Sequence, residues 1–497
     1  MQKSFMMLTT KKTDEGDCMM DTIVEEKLIS FKSLEQKIYK FVCKYGAEIT
    51  RIVLENYDDE LAKGRDRKVY RDKGKRSTTV KTVYGEVCYS RRVYEKRQEE
   101  GKKEHVYLLD EAMHMEKIGL MSTNLAEKIA MTAAESAYRV TAEEISSTCG
   151  QSVSHGGAWN LVQRIGERIS REEAHAVERM EAGEAGGEKV LPVLFEEMDG
   201  VWLSMQDGKH RKMKKQEMKV FTMYEGWESD DGGRSRLVNK TMLAGMEKSV
   251  EFHAKREAVI EGRYAADEIV QRVLNGDGGS WVREPYDPDT IMQLDRYHVY
   301  QEILRKVGDK KAQKEIRELY DSERPDEMLE YIKIYADSVA SDEKTDKRRK
   351  KALELYTYLS NNREGLLPWQ KRGAEIPPAP EGIVYKGMGV QESQNCTVVT
   401  LRMKHRRMRW SASGANNLGK VLYRKENREL IETIERYTDG LVPIAGLESA
   451  IETLSAAKAP KKDGKGNPYV DLTNCHMPLL DAMRTASRKA FIAAFRG

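Results

Sequence analysis

Residues 190–206 read VLPVLFEEMDGVWLSMQ. The run is short, apolar and rich in β-branched and aromatic side chains, which predicts a buried strand. Two further strand-like stretches follow, EMKVFTMYEGW at 217–227 and SRLVNKTMLAG at 235–245, then helical sequence over about 250–273. Three strands in succession and then a helix predict an α/β domain that opens with an antiparallel meander. On the first strand Asp199 shares the parity of Val193, Phe195, Val201 and Leu203, so a carboxylate stands in an apolar row. That placement costs free energy unless something compensates it, and either a metal ion or a buried arginine would serve. Glu196 and Glu197 compete for the same role, although Gly200 gives Asp199 the more open backbone.

Downstream, LNGDGGSW (274–281) sets Asp277 among glycines. Such a sequence admits a metal or a phosphate backbone without a Cβ in the way, and it also suits a plain turn. In MQLDRYHVYQ (292–301), Asp295 and His298 are spaced to share a helix face, where the histidine would orient a phosphate or fill a structural role. Residues 300–362 read as charged helices, and LLPWQKRGAEIPPAPEG (366–382) interrupts them with four prolines. A second helical pattern starts near Gln391 in GMGVQESQNCTVVTLRMKHRRMRWS (387–411). It places Glu392, Cys396, Val399 and Met403 on one side, with the acid at the helix's positive end. The same helix then presents Arg402, Lys404, Arg406, Arg407 and Arg409. These five basic residues fall within 401–410, which holds no acid.

Upstream, residues 21–60 read as helix, with Phe31, Leu34, Ile38, Phe41 and Val42 near a 3.6 period. In KVYRDKGKRSTTVKTVYGEVCYSRRVYEKR (68–97), Thr, Val and Tyr alternate with basic residues. Gly85 provides a turn between Thr79–Tyr84 and Val87–Tyr94, which predicts a basic β-hairpin. Residues 61–100 hold thirteen Lys/Arg against six Asp/Glu. Arg71, Lys73, Lys75, Arg76, Arg91 and Arg92 are the hairpin's candidates for phosphate contact; a charged edge that resists aggregation is the alternative. Helix returns over 105–180. There TAEEISSTCGQSVSHGGAWNLVQRIGERI (141–169) has the layout of a helix-turn-helix or of an ordinary helical hairpin. Thr141 would cap the first helix, with Glu144 completing a capping box. Ser152 or Ser154 would cap the second, and Trp159, Leu161, Val162 and Ile165 would form its buried side. Ser154, His155 and Asn160 lie where such a helix meets a major groove.

Composition narrows the class. A chain of 497 residues exceeds one ordinary core. With 39% hydrophobic and 33% charged residues it fits a helix-rich globular protein rather than a disordered one. Cys18, Cys43, Cys88, Cys149, Cys396 and Cys475 form no CxxC pair, which excludes a zinc ribbon and argues against a disulfide framework. No apolar run approaches the roughly 18 residues of a membrane span, and the first residues lack a signal-peptide pattern, so a reducing cytoplasm is expected. KAPKKDGKGNP (458–468) reads as a flexible linker before a short C-terminal helix.

Taken in order, EMDGVWL, NGDGGSWV, LDRYHVYQ, YLSNNREGLLPW and GMGVQESQN…RMKHRRMRWS resemble the ISLre-type insertion-sequence transposases. These were once filed as an uncharacterised bacterial protein family and are distant relatives of Mutator-like transposases. The resemblance runs from about residue 65 to about 425. It implies an RNase H-like catalytic domain with an acidic triad, whose roles fall on Asp199, Asp277 and Glu392, with Asp295 and His298 as the auxiliary D-x-x-H element. It further implies two Mg²⁺ or Mn²⁺ ions about 4 Å apart on the three acids. The partners it implies are element terminal repeats and target DNA, with self-association into a homo-oligomer and a location at the bacterial nucleoid. The expected layout is an N-terminal helical region (1–60), the basic β-hairpin (61–104) and a helical DNA-binding region (105–187). An RNase H-like α/β domain follows in two parts (188–300 and 373–425), interrupted by a helical insertion (301–372), and then a helical tail (426–497). A nuclease without strand transfer, or a DNA-binding regulator with idle acids, is the alternative.

Overall fold

The computed structural model describes residues 29–97, 103–114, 120–229, 233–283, 289–339, 343–372 and 376–457; both the linker and the C-terminal helix expected beyond 458 lie outside them. The chain divides into two compact units, one holding residues up to Met113 together with those from Leu441, the other spanning His114–Gly440.

In the first unit, helix α1 (Phe31–Gly64) packs on strand β2 (Gly85–Arg97) and on the helix Ile444–Ala457. Ser30 caps α1 by accepting from the Ser33 amide. The apolar positions that mark α1 in the sequence are not its buried ones: Phe31, Leu34, Ile38 and Val42 are exposed, while Leu54 is buried. The basic hairpin is present, longer than its pattern suggested. Strand β1 (Tyr70–Thr82) pairs antiparallel with β2, and β3 (Lys103–Val106) adds a third strand. Gly85 adopts φ +126°, a left-handed backbone that a Cβ would strain, directly after the two-residue turn.

The second unit is built on a five-stranded sheet. Its strands are β4 (Val193–Leu203), β5 (Gln216–Tyr224), β8 (Thr241–Gly245), β9 (Gln271–Gly276) and β10 (Ile291–Leu294), ordered β10-β9-β4-β5-β8, while β6 (Trp227–Ser229) and β7 (Ser235–Leu237) pair with each other. β4, β5 and β8 form the antiparallel meander read from the sequence; β9 and β10 then run parallel to β4. The helical stretch expected over 250–273 is shorter. The helix covers Ser249–Glu261, and Gln271–Gly276 is strand because Val273 and Leu274 insert, fully buried, beside β4. One face of the sheet centres on Phe195, whose ring stacks on Tyr224 and meets Trp227, Trp369 and Tyr385 edge-on. Buried Glu196 is answered by Arg256 and Arg272, with contacts at 2.6 and 2.7 Å, so the arginine partner weighed for Asp199 belongs to Glu196 instead.

Between α1 and β10 the described helices are α2 (Leu108–Met113), α3 (Thr123–Glu135), α4 (Tyr138–Thr148), α5 (His155–Glu181), α6 (Ser249–Glu261) and α7 (Ser280–Arg283). Four helices follow β10: α8 (Arg296–Lys306), α9 (Lys310–Asp321), α10 (Pro325–Ser338) and α11 (Glu343–Asn361), enclosing a core of their own around Ile303, Ile316, Ile332 and Leu355. Ahead of the sheet stand three helices, Thr123–Glu135, Tyr138–Thr148 and His155–Glu181. The last is capped by Ser154, as one of the two alternatives had it. Thr141 is not a cap: it lies inside the preceding helix, buried, its hydroxyl donating to Ala137 O. Trp159 is exposed, whereas Leu161, Val162 and Ile165 are buried. Most of the 27-residue helix serves as a layer of the core, approaching Asn417 so closely that a Cβ at Gly166 would lie 2.5 Å from it. Among the described residues no helix is long and apolar enough to cross a membrane.

Candidate active site

Asp199 lies near the middle of β4, the central strand, and Asp277 directly follows the neighbouring parallel strand β9. Asp199 is 7% exposed, and both its oxygens are engaged: Oδ1 lies 3.5 Å from His298 Nε2, and Oδ2 accepts from Asn395 Nδ2 at 2.6 Å. Asp277 is fixed from two directions. Its Oδ1 accepts from the Gly279 amide at 2.8 Å, and its carbonyl accepts from the Tyr358 hydroxyl of α11 at 2.7 Å. Glycine is needed here. Gly278 holds φ +72°, and a Cβ there would stand 2.7 Å from Asn362 Oδ1.

Asp295 and His298 do not share a helix face. Asp295 is the N-cap of α8, its Oδ1 accepting from the amides of Tyr297 and His298, while its Oδ2 accepts from Asn275 Nδ2 at 2.7 Å. Its carboxylate is used in placing the helix that brings His298 to Asp199.

Glu392 arrives on helix α12, which opens at Gln391–Gln394, passes through a π-helical stretch Asn395–Thr400 and closes at Leu401–Met403. Glu197, on the same side of β4 as Asp199, fixes the start of this helix. Its carboxylate accepts five hydrogen bonds: from Tyr224 Oη at 2.6 Å, from Asn275 Nδ2 at 3.0 Å, and from the amides of Gly389, Val390 and Gln391 at 3.0, 3.2 and 3.1 Å. Burial pushes the Glu197 carboxyl above its usual range, and these donors offset that push. Gln391, Asn395, Val398 and Val399 are buried, while Glu392 and Cys396 are exposed, so the buried stripe starts at Gln391, one residue before the expected one.

The charge of Asp199 acts on the acids around it. Burial raises Asp277 above its usual range and the charge of Asp199 raises it further. Glu392 is raised by burial and then by Asp199. A fourth acid, Glu217 on β5, is raised by burial, with Asp277 and Asp199 adding to it. It packs over Gly200, where a Cβ would be 1.9 Å from its Oε1. Against this negative field, burial opposes the charged form of His298, yet the hydrogen bond and charge of Asp199 outweigh it and push the imidazole up to about 9. Among the described residues, no three His, Cys, Asp or Glu side chains are arranged to hold a metal ion. Carboxylates raised by a neighbouring charge, as Asp277 and Glu392 are by Asp199, are what a hard divalent cation would relieve.

The basic candidates separate by burial. Arg91 is buried, paired with Asp110 at 2.6 Å and set over the Tyr107 ring, and Arg92 is tied to Asp58 and Asp59; neither is available to phosphate. Lys73 and Lys75 carry partners, Glu95 and Asp59, and remain accessible along with Arg71 and Arg76. Ser154, His155 and Asn160 are exposed. Arg402 is buried, donating to Ala133 O and lying over Tyr138 and Trp410, on the stripe that begins at buried Gln391. Lys404, Arg407 and Arg409 are exposed; the side chain of Arg406 lies outside what is described. Sequence reading missed Asn275, Asn395, Glu217 and Tyr358, whose roles depend on partners distant in the chain.

The family model described as "Uncharacterised protein family (UPF0236)" matches residues 24–435. A curated relative, the "UPF0236 protein in vanSb 3'region" of Streptococcus gallolyticus, is 27% identical over 351 residues, covering 69% of this chain and 71% of its own.

Proposed function

We propose, for a chain that belongs to the Uncharacterised protein family (UPF0236), a DNA transposase activity: metal-dependent cleavage and strand transfer by an RNase H-like domain. The carrying observation is the placement of Asp199 on the central strand and of Asp277 directly after the parallel strand beside it, with Glu392 on a helix anchored to the central strand through Glu197. What supports the domain assignment is the sheet: a three-stranded antiparallel meander whose first strand pairs on its other edge with parallel β9, and β9 in turn with parallel β10.

In this reading water attacks a phosphodiester at the element end. A new P–O bond forms, the P–O3′ bond breaks, and a 3′-hydroxyl is released while the water's proton passes to solvent. That hydroxyl then attacks a target phosphodiester, whose own P–O3′ bond breaks. Asn395 and His298 hold Asp199 in one orientation, the Gly279 amide and Tyr358 hold Asp277, and the Glu197 cradle holds the turn before Glu392. Asp199, Asp277 and Glu392 would hold the divalent cations, whose chemistry would be to activate the attacking oxygen and stabilise the leaving one. The protein's share of the catalysis is positioning, and no covalent protein–DNA bond is required. Joining two element ends to one target calls for two sites, so self-association belongs to the same proposal.

The test is strand cleavage and joining on duplexes carrying the element's terminal sequence, with Mg²⁺ or Mn²⁺. Asp199→Asn and Asp277→Asn should each lower cleavage by at least about 10³-fold, about 4 kcal/mol of barrier, with duplex binding retained. Full activity in either variant refutes the site, and cleavage without joining of a pre-cut 3′-hydroxyl substrate assigns a nuclease instead.

A further inference from the structure

The loop between β4 and β5 reads QDGKHRKMKKQ over residues 206–216 and carries Lys209, Arg211, Lys212, Lys214 and Lys215. It is a built structure. Asp207 Oδ1 accepts from the amides of Lys209 and Arg211, its Oδ2 accepts from Arg211 Nε at 2.7 Å, and Met213 N donates to Met205 O at 3.0 Å. The 404–409 segment, KHRRMR, is a second excursion, closed at its base where Trp410 Nε1 donates to Met403 O at 2.9 Å.

These two excursions are joined. Met205 and Trp410 form a parallel bridge, with Gln206 N donating to Trp410 O at 2.8 Å and Trp410 N donating to Ser204 O at 3.0 Å. A short backbone ladder therefore sets side by side two basic segments almost 200 residues apart in sequence. Lys209, Lys212, Lys214, Lys215, Lys404, Arg407 and Arg409 are all exposed, and none has an acidic partner among the described residues. Arg211 is the exception, being spent on Asp207. At one end, Lys404 is close enough for its charge to act on Glu392.

We propose that the 206–216 loop and the 404–409 segment form one phosphate-binding strip, along which the backbone of duplex DNA is held on its way to Glu392. Only its identification with duplex DNA, and its direction, rest on the function proposed above. Charge and burial select the partner. The apolar residues of the strip, Met205, Met403 and Trp410, are buried, and Met213 is the large apolar side chain left exposed on the loop. A protein partner needs an apolar centre to its interface, whereas within 206–216 and 404–409 the exposed residues are mostly cationic and Met213 is the one large exposed apolar side chain; exposed Trp202 and Leu401 lie outside both segments. A polyphosphate backbone needs only spaced cations that release its counterions.

The experiment uses the full chain and a 30-base-pair duplex of arbitrary sequence, with its single strand as the second probe, reading Kd by fluorescence anisotropy across a salt series. Two variants test the two halves of the strip, Lys212→Gln/Lys214→Gln/Lys215→Gln and Lys404→Gln/Arg407→Gln/Arg409→Gln. Each should weaken duplex binding about tenfold or more near physiological salt and reduce the slope of log K against log salt by roughly 2 to 3, since each phosphate contact contributes about 0.9 to it. Removing equal charge at Lys310, Lys311 and Lys314 should change neither. Wild-type affinity and slope in both strip variants, an equal loss in the control, or tighter binding of the single strand than the duplex would overturn the strip. The two proposals fail separately: strip variants that bind weakly in a protein without metal-dependent cleavage keep the strip and lose the transposase, and the reverse pattern does the opposite.

Discussion

At the scale of single residues, the least replaceable side chain outside the acids is Glu197. Its two oxygens take five donors, three of them backbone amides of the turn that delivers Glu392. Glu197→Gln puts an amide nitrogen where donors already point, so at least one hydrogen bond to an acceptor becomes a donor–donor clash. Hydrogen bonds to a buried charged group are worth about 1.5–3 kcal/mol each. The variant is expected to lose about 2–4 kcal/mol of stability by urea denaturation. It should also lose strand cleavage far beyond what its folded fraction explains, with duplex affinity kept. Unchanged cleavage in a folded Glu197→Gln protein would show that the cradle does not set Glu392. Strand parity made both Asp199 and Glu197 visible in the sequence, as acids in an apolar row. What separates their roles was not local: the amides of Gly389, Val390 and Gln391 arrive from almost 200 residues away, and no pattern around Glu197 announces them. Asn395 was hidden differently, since the stripe read from Glu392 was followed through Cys396, Val399 and Met403 and left it out.

Among elements, helix α12 shows how a one-residue error in placing a stripe redirects a reading. The pattern started from Glu392 put Cys396 on the buried side and Arg402 outward; the buried stripe instead starts at Gln391, so the first is exposed and the second buried. The meander, the charged helices after β10 and the basic hairpin were legible because their periods are long and undisturbed. The contacts that lock helices onto the sheet were not legible. Buried Lys420 and Lys255 both reach Glu247, each at 2.6 Å, and both also reach Glu173, tying together the helices His155–Glu181, Ser249–Glu261 and Ala412–Glu426. Although burial opposes the charged form, the charges of Lys420 and Lys255 hold the Glu247 carboxyl down to about 2. A depressed carboxyl stabilises the fold fully above its unfolded pKa, about 4.3, and progressively less as pH falls toward 2. The shift is worth roughly 3 kcal/mol. Glu247→Gln should therefore be markedly less stable than wild type at pH 7, and the gap should narrow as pH drops from about 5 to about 2.5. Parallel denaturation curves with a constant gap across that window would remove Glu247 from the acid sensitivity of the fold.

For the whole molecule, the net charge of +3 hides both the clusters and their use. In the hairpin, Arg91 and Arg92 are consumed by Asp110, Asp58 and Asp59. The 206–216 loop, with an equally basic composition, leaves four lysines exposed. Counting charge along the chain cannot tell these apart, because the acids that neutralise a segment come from other elements. The same separation governs stability. The unit that includes α1 and the hairpin has its own buried set, Leu54, Val80, Val87, Tyr89 and Leu109, while the His114–Gly440 unit is organised around Phe195 and its neighbouring rings. Units with separate cores unfold as separate cooperative steps unless a large apolar interface couples them. Differential scanning calorimetry of the full chain should accordingly resolve two transitions. Leu54→Ala, at about 2–5 kcal/mol, should lower one of them, and Phe195→Ala, at about 3–5 kcal/mol, the other. If both substitutions shift one shared transition by comparable amounts, the two units are a single cooperative body, and the residues that read as two cores are one.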